Sequence, residues 1–374
     1  MNIRYFDNAA TTRVKEDVLR EMIPYFNMQY GNASSIYSIA RQSKRAIEDA
    51  RQKVANAINS KVKEIYFTSC GTESDNLALK GIAYANVQNG KHIITSKIEH
   101  PAILQSCKTL EKQGFSITYL NVDEEGFISL EELEKSIRQD TILISIMFAN
   151  NEIGTIQPIK QIGEIAKKYQ IIFHTDCVQA MGNAKIDVNE MNIDLLSMSA
   201  HKFYGPKGVG ALYVREGVQF DRIQDGGHQE KNKRSGTENV AGIVGLGKAI
   251  EMANRNLDEH IINLTNLRDY YFSQLRQKIP NCKINGSIEK RLPGNANVSF
   301  PNIDGEELLL KLDEKGICAS TGSACSSGSA NPSHVLVAIG LDKELANGTL
   351  RITLGDDNTK EDIDFLVEQL LKIM

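Results

Sequence analysis

Hydrophobic and polar positions follow two alternating patterns along most of the chain. Between about residues 42 and 354, stretches with an apolar residue at every third or fourth position are separated by short apolar runs. The first pattern is typical of amphipathic helices and the second of buried strands. Their alternation predicts an α/β fold with helices on both faces of a mainly parallel sheet. A helix is predicted over 42–58, and seven strands are predicted at 65–68, 92–96, 116–120, 141–148, 171–174, 195–199 and 210–214.

The pattern changes beyond about residue 240. A long helical stretch is followed by two candidate strands, at 296–300 and 350–354, and by a final helix whose apolar residues fall on one face. This order predicts a smaller α+β domain at the C-terminal end. We therefore place a large domain at 16–255, and a small domain at 1–15 together with 256–374.

Composition narrows the possible functions. The 374 residues are 41% hydrophobic and carry a net charge of -4, so the chain can bury a large core but has no general attraction to nucleic acid or an anionic membrane. No apolar segment has the length of a signal peptide or a membrane span, and we expect a cytoplasmic protein with no membrane partner. The six cysteines form no CxxC pair and no Cys/His cluster, so we expect free thiols and no metal site.

Lys202 is the first candidate for chemistry. It lies in a Gly/Pro-rich turn directly after the predicted strand 195–199. A sheltered lysine at such a place can form a Schiff base with an aldehyde, which is how enzymes bind pyridoxal 5′-phosphate (PLP). Most lysines in turns are solvated, so the position alone is a weak indication.

Asp176 and Gln179 follow the apolar run 171–173. A carboxylate at a strand end is what the protonated ring nitrogen of PLP requires, and Gln179 is suited to hydrogen-bond the ring hydroxyl oxygen. The alternative role for Asp176 is to cap a following helix, which is a common use of aspartate.

A candidate phosphate site lies in the turn of small residues at 68–74, between a predicted strand and a helix that begins near Thr72. Backbone N–H groups at a helix N-terminus bind phosphate well, so Gly71 and Thr72 are candidate ligands. Ser199 and His201, which flank the turn of Lys202, are candidates to complete the site. The turn is neither a Walker loop nor a GxGxxG motif.

Taken together, these segments resemble the cysteine desulfurases of the NifS/IscS type, which are PLP enzymes of fold type I in the class V aminotransferase family. The resemblance runs nearly end to end, and the joint occurrence of its motifs is highly specific. The motifs are DNAATT at 7–12, GTESDN at 71–76, EHP at 99–101, NNEIG at 150–154, DCVQ at 176–179, SAHK at 199–202, RSGTEN at 234–239 and STGSAC at 320–325.

The resemblance implies roles for residues that the sequence pattern alone does not assign. His100 would stack on the PLP ring, and Thr237 would reach the phosphate in the neighbouring subunit of a homodimer. Asn151 and Arg351 would hold the substrate carboxylate, for which a guanidinium fork is well suited. The other matching cofactor positions are those already named: Gly71, Thr72, Asp176, Gln179, Ser199, His201 and the Schiff-base residue Lys202.

Cys325 matches the cysteine that receives sulfur in this family. The segment around it, 320–332, is made mostly of small polar residues, and this low apolar content predicts a mobile loop of the kind that a sulfur carrier needs. For Cys107 and Cys282 a buried structural role is the stronger interpretation. The resemblance also makes Cys325 a possible transient iron–sulfur ligand, the one metal contact expected.

The activity implied by the resemblance is the removal of sulfur from L-cysteine. The amine of Lys202 would take the Cα proton, the thiolate of Cys325 would accept the sulfur as a persulfide, and L-alanine would leave with help from His100. The persulfide would pass to a sulfur acceptor, either an iron–sulfur scaffold protein or a protein of tRNA thiolation. No direct contact with nucleic acid is expected.

Two positions depart from the family pattern. Tyr37 lies in a loop where many relatives have a histidine, and Asp356 follows Leu354 and Gly355 where an arginine is usual. The second change replaces a positive charge by a negative one.

Three other functions compete with desulfuration. Selenocysteine lyase or another PLP-dependent elimination would use the same fold, and so would transamination, which needs no loop thiol such as Cys325. A catalytically silent sulfur carrier or scaffold would keep the fold for binding, but the presence of both Lys202 and Asp176 argues against it.

Overall fold

The structure, a computed structural model, describes residues 3–321 and 332–374. The strands among these residues are β1 (Arg4–Tyr5), β2 (Ile65–Thr68), β3 (His92–Ser96), β4 (Ser116–Leu120), β5 (Thr141–Ser145), β6 (Ile172–Asp176), β7 (Leu195–Ser199), β8 (Gly210–Val214), β9 (Lys283–Ile284), β10 (Asn295–Ser299), β11 (Ile317–Cys318) and β12 (Thr349–Thr353). The helices are α1 (Glu16–Met22), α2 (Pro24–Asn27), α3 (Ser38–Ala57), α4 (Gly71–Ala85), α5 (Pro101–Lys112), α6 (Leu130–Lys135), α7 (Ile159–Lys168), α8 (Gln229–Asn232), α9 (Val240–Arg255), α10 (Leu257–Lys278), α11 (Gly305–Asp313), α12 (His334–Ala338), α13 (Lys343–Asn347) and α14 (Lys360–Ile373).

A seven-stranded sheet in the order β2-β8-β7-β6-β5-β3-β4 forms the centre of the fold. Strands β7, β6, β5, β3 and β4 run parallel to one another, whereas β8 is antiparallel to both of its neighbours. The prediction of a mainly parallel seven-stranded α/β sheet is therefore confirmed.

Each central strand buries both of its faces, because successive side chains point to opposite sides. Phe173 and Leu196 belong to the apolar cluster that includes residues of α3, α7 and α9, whereas Leu195 and Leu212 belong to the cluster that includes residues of α4 and α5. Helices therefore cover both faces of the sheet, which explains why the central strands appear in the sequence as continuous apolar runs.

Several predicted boundaries were wrong. Helix α3 begins at Ser38, and the strands predicted at 171–174, 296–300 and 350–354 are β6, β10 and β12, whose bounds differ by one or two residues. The strand expected at 141–148 ends at Ser145, although the N–H groups of Ile146 and Phe148 still donate to the carbonyls of His174 (3.2 Å) and Asp176 (2.8 Å) and the apolar run stays buried. The long helical stretch beyond residue 240 is two helices, α9 and α10, which are separated at Asn256. The apolar pattern continues on both sides of this break, so the sequence does not reveal it.

A second apolar cluster is built from Phe6 and from residues of α10, α11 and α14 packed on β10 and β12. Strands β9, β10 and β12 form an antiparallel sheet, and β1 pairs in parallel with β11. The N-terminal segment and the C-terminal third thus share a separate apolar core, which supports the proposed small domain of 1–15 and 256–374. The boundary with 16–255 stays a prediction.

A buried ion pair connects α3 with α8. The guanidinium of Arg51 donates to both carboxylate oxygens of Glu230 at 2.7 Å, and the two side chains are 4% and 3% exposed. Glu230 also accepts the backbone N–H of Phe67 (2.8 Å). Glu230 and the next residue, Lys231, have φ values of 41° and 58°, a conformation that non-glycine residues rarely adopt. The ion pair thus stabilises a strained segment.

We predict that Glu230→Gln lowers the free energy of unfolding by about 3 kcal/mol, because the charge of Arg51 then stays buried without its counter-ion. The urea midpoint of the variant measures the loss. Glu131→Gln is the control, since Glu131 pairs with Lys135 on the surface, where both side chains are more than 70% exposed. Equal midpoint shifts in the two variants would contradict the prediction.

Candidate functional site

The predicted cofactor residues gather at one edge of the central sheet. Asp176 is the last residue of β6, and Ser199 is the last residue of the adjacent β7. A single 3₁₀ turn, Ala200–Lys202, follows β7 and carries His201 and Lys202. Because β6 and β7 are parallel, their carboxyl ends meet at the same edge, where open α/β sheets bind ligands.

Helix α4 begins beside these strand ends. Its N-cap residue, Cys70, makes no side-chain cap, so the first N–H groups of the helix are not satisfied by the residue that usually does so. A Cβ atom at Gly71 would lie 2.6 Å from Cγ2 of Val178, so only glycine permits this close packing against the turn after Asp176. Thr72 is exposed in the first turn of α4. This arrangement suits an anion.

Burial raises the pKa of the Asp176 carboxyl. Three neighbours favour the ionised form and oppose the shift: His100 when its ring is protonated, the Val178 backbone N–H (2.8 Å from Oδ1) and Lys202. A buried carboxylate of this kind is a suitable partner for a cationic ring nitrogen.

Two histidines of the site are neutral near pH 7. Burial and the nearby charge of Lys202 lower the pKa of His201 to about 4. Burial, followed by the charge of Lys202, also lowers the pKa of His100, although Asp176 acts in the opposite direction. His100 caps α5, since its Nδ1 accepts the backbone N–H of Ala102 (3.1 Å). That contact places the proton of the neutral ring on Nε2.

The N-terminal segment 7–12 crosses the site, which the sequence reasoning did not foresee. The ammonium of Lys202 donates to the carbonyl oxygens of Ala9 and Ala10, and Nε2 of Gln179 donates to the same Ala9 oxygen (2.9 Å). The motif at 7–12 is visible in the sequence. The local pattern does not show that it contacts residues about 170 to 190 positions away.

Thr12 holds this segment against the lysine turn. Its N–H and its hydroxyl both donate to the carbonyl of His201 (2.9 Å each), and its hydroxyl accepts the N–H of Tyr204 (2.8 Å). Thr12 is 3% exposed, so these hydrogen bonds are shielded from water.

Arg351, on β12, lies at the other end of the same segment. The side chain is 2% exposed, donates from one terminal nitrogen to Oδ1 of Asp7 (2.9 Å), and donates from the other to the carbonyl of Asn151 (3.3 Å). Its Nε is buried without a hydrogen-bond partner among the residues that the structure describes. A buried guanidinium with a donor to spare is suited to bind a small carboxylate.

Two predicted residues are not brought into this group. Thr237 is exposed between α8 and α9, and Cys325 lies outside the described residues. The described chain on either side of residues 322–331 touches the site: Ser320 exchanges backbone hydrogen bonds with Arg351, and Nε2 of His334 bonds to the carbonyl of Glu99 (3.0 Å).

A cavity of about 940 Å³ opens beside Lys202 and Gln179 and extends along α10. Asp356 lines it and bonds to Nδ1 of His260 (2.7 Å) and to the ammonium of Lys15. Although burial acts in the opposite direction, these two contacts lower the pKa of Asp356 to about 2. The negative charge that departs from the family pattern therefore has the ammonium of Lys15 and the ring of His260 as neighbours here. Tyr37, the other departure, is 51% exposed at the start of α3.

Comparison with known proteins decides the family. The model of the Aminotransferase class-V family matches residues 4–366. Over 99% of the chain, 57% of residues are identical to those of the cysteine desulfurase IscS of Clostridium botulinum, and the match covers 94% of that protein. The chain belongs to the class-V aminotransferases, in their group of cysteine desulfurases of the IscS and NifS type.

Solved structures of relatives agree with this assignment. A NifS-like protein superimposes with a TM-score of 0.94 and 41% identity over 100% of this chain and 99% of its own. SspA in complex with cysteine superimposes with a TM-score of 0.82 and 39% identity over 94% and 98% of the two chains. Membership of the cysteine desulfurase group confirms the expected fold type I and implies a PLP cofactor.

Two further findings concern partners of this cysteine desulfurase homologue. Within residues 3–321 and 332–374, no helix is both long and apolar enough to cross a membrane. The same part of the chain has no group of three His, Cys, Asp or Glu side chains placed to hold a metal ion.

We predict that Asp356→Arg lowers the free energy of unfolding by about 1 kcal/mol at low salt, because the new guanidinium faces Lys15 and His260. The loss should shrink in high salt, which screens like charges. Thermal unfolding at two salt concentrations measures both effects.

The control for this experiment is Asp357→Arg. Asp357 is 73% exposed and pairs only with the exposed Arg13 among the described residues, so its replacement should change the melting temperature less. A larger loss at Asp357 than at Asp356 would show that the contacts of Asp356 do not stabilise the fold.

Proposed function

We propose that the chain is a cysteine desulfurase, which uses PLP to take sulfur from L-cysteine and leaves L-alanine. The observation that carries the proposal is that Lys202, Gln179 and Arg351 converge on one short N-terminal segment in a chain that is 57% identical to cysteine desulfurases over nearly its whole length. The first two residues suit a PLP enzyme, and the third suits an amino-acid carboxylate.

The PLP site that we propose consists of residues from four parts of the chain. Asp176 would face the ring nitrogen, Gln179 the ring oxygen and His100 the ring face, while Lys202 would bind the aldehyde carbon. The phosphate would lie at the N-terminus of α4, where the missing cap leaves N–H groups available. The phosphate ligands proposed are Gly71, Thr72, Ser199, His201 and, from a second copy of the chain, Thr237.

The proposed substrate site is centred on Arg351. Its unpartnered Nε and a terminal nitrogen would form a fork for the carboxylate of L-cysteine, and Asn151 would contribute its side-chain amide. Asp7 also accepts a hydrogen bond from a terminal nitrogen and so fixes the guanidinium. An amino acid held in this way has its orientation set before the reaction begins, which lowers the barrier to reaction.

PLP, when bound, supplies an electron sink for cleavage at Cα of an amino acid. Lys202 is the base that we assign to the Cα proton, because its amine can lie in the site after the substrate has taken its place. The thiolate of Cys325 attacks the substrate sulfur: the new S–S bond forms, the C–S bond breaks, and its electron pair stays on the carbon that becomes the methyl group of alanine. His100 is proposed to assist the final protonation.

The position of Cys325 in the chain is compatible with this role. Ser320 pairs with Arg351, and Cys325 is five residues further on, within about 18 Å of chain reach. His334, nine residues after Cys325, again lies beside the site, where it bonds to the carbonyl of Glu99. The chain between the two contacts can therefore bring a thiol to the substrate.

The homodimer is a proposal supported by one surface. Large apolar side chains cluster in sequence between α1 and α3, and four of them are 64–89% exposed: Phe26, Met28, Tyr30 and Ile36. Several large apolar side chains exposed in one short segment often mark a contact with another protein. Thr237, which is also exposed, would be brought to the phosphate of the second copy by such an association.

The destination of the sulfur is proposed from family resemblance alone. An acceptor protein for iron–sulfur cluster assembly or tRNA thiolation would take the persulfide from Cys325, which could transiently ligate the cluster. The cytoplasm is the proposed location.

We predict that Cys325→Ala keeps the visible absorbance of bound PLP but lowers multiple-turnover formation of alanine from L-cysteine by about a hundredfold or more, since the sulfur has lost its acceptor. Alanine release, measured in the presence of a reductant that regenerates the thiol, tests this. Cys282→Ala is the control, because Cys282 packs against the second core and lies away from the site. Normal turnover in Cys325→Ala would refute the assignment.

A further inference from the structure

A buried acid, Asp75, lies beneath the proposed cofactor site and has no role in the mechanism above. It is on α4, three residues after Thr72, so both residues are on the same side of the helix. The side of α4 that carries Asp75 packs against β6 and β7, and the residue is only 1% exposed. Asp75 is therefore buried between the helix that would bind the phosphate and the strands that carry Asp176 and Ser199.

The strands present a row of polar side chains to Asp75. On β5, β6 and β7, Ser145, His174 and Ser197 occupy the face covered by α4, since the residues before them point to the opposite cluster. Nδ1 of His174 bonds to Ser145 Oγ (2.9 Å) and Nε2 bonds to Ser197 Oγ (3.0 Å). Burial lowers the pKa of His174 to about 3, so the ring is neutral and brings no counter-charge.

One oxygen of Asp75 is left without a donor in this row. Oδ1 lies 3.8 Å from Nε2 of His174, beyond hydrogen-bonding distance, and has no partner among the described residues. An ionised carboxylate buried in this way would be costly, whereas a protonated acid carries its own donor. The geometry favours the protonated form.

Asp176 differs from Asp75 in its neighbours. It accepts the N–H of Val178 at 2.8 Å, and the charge of Lys202 favours its ionised form. Burial first, and then the negative charge of Asp176, raise the pKa of Asp75 well above its usual range, although a hydrogen bond with Ser197 acts in the opposite direction. When two buried carboxyls repel each other, the one that has a hydrogen-bond donor and a cation beside it ionises, and the other keeps the proton.

We propose that Asp75 is a positioning residue for Asp176: it holds a proton, and as a neutral acid it leaves Asp176 as the single anion at the strand ends. The charge of the pair is then -1, which balances one positive charge on the ring nitrogen of PLP. The inference rests on the proposed role of Asp176 in the desulfurase site. Helix α4 then has a second role, which is to keep one proton on the Asp75–Asp176 pair.

The test is infrared difference spectroscopy of the PLP-loaded protein in deuterated buffer near pH 7. Wild type minus Asp75→Asn should show the carbonyl stretch of a protonated carboxylic acid. Glu73→Gln is the matched control on the same helix, because Arg234 binds both oxygens of Glu73, lowers its pKa and keeps it ionised, so its spectrum should lose a carboxylate band. Loss of only a carboxylate band in Asp75→Asn overturns the proposal.

A second measurement separates Asp75 from other buried acids and does not depend on the folding of that variant. Glu99 and Glu152 are buried with pKa values raised by that burial to about 8 and about 7, so glutamate acid bands are also expected. Wild type that contains aspartate with ¹³C at the side-chain carboxyl should show an isotope-shifted acid band. If no acid band shifts with the label, no aspartate holds a proton and the proposal fails.

Linkage to Asp176 distinguishes positioning from a merely structural role. In Asp176→Asn the anion next to Asp75 is gone, so the aspartate acid band should disappear at a pH about one unit or more below its wild-type midpoint. An unchanged midpoint would overturn the proposal. Affinity for PLP should change by less than about threefold in Asp75→Asn but weaken by about tenfold or more in Asp176→Asn. These readouts do not involve Cys325, so their failure is distinguishable from failure of the desulfurase assignment.

Discussion

The hydrogen bonds between the N-terminal segment 7–12 and the turn after β7 are the contacts on which the site depends. Through Ala9 and Thr12 the segment fixes the turn of Lys202, and through Asp7 it fixes Arg351 on β12. The turn of Lys202 follows β7 of the seven-stranded sheet, whereas β12 packs in the second apolar cluster. A displacement of the segment would therefore separate the proposed cofactor lysine from the proposed carboxylate ligand.

Burial sets the charge balance of the site. His100 and His201 are neutral, which leaves few cations to offset Asp176 beyond Lys202 and the ring nitrogen that the family implies. The same low dielectric makes each remaining charge interact strongly with its neighbours. Helix α4 contributes an uncapped N-terminus to this balance, and its buried acid, Asp75, adds no second anion if it is protonated as proposed.

The fold was largely predictable from the sequence, because its signals are local. Short apolar runs bounded by polar residues predicted β2, β3, β4, β7 and β8 to the residue, and the period of the final helix matched α14. The failures have physical causes: the apolar run stays buried beyond Ser145, where β5 ends, and the apolar pattern passes through the helix break at Asn256.

The site was predictable only in part. Asp176 and Lys202 could be proposed from the sequence because each lies within a few residues of the end of a short apolar run, whereas Arg351, His100 and Thr237 required family resemblance. The role of segment 7–12 and the isolation of Asp75 were not predictable, since both depend on partners about 100 to 340 positions away. The motifs at 7–12 and 71–76 are visible in the sequence, but a motif alone does not show which distant residues it contacts in the fold.

The most direct test of the account is to locate the lysine that binds PLP. Reduction of the protein with borohydride in the presence of PLP, followed by proteolysis and mass spectrometry, fixes the cofactor to that residue. We predict one modified peptide, with the label on Lys202, and the same label in Lys207→Ala. A label on Lys207 or another lysine, or no covalent label at all, would contradict it.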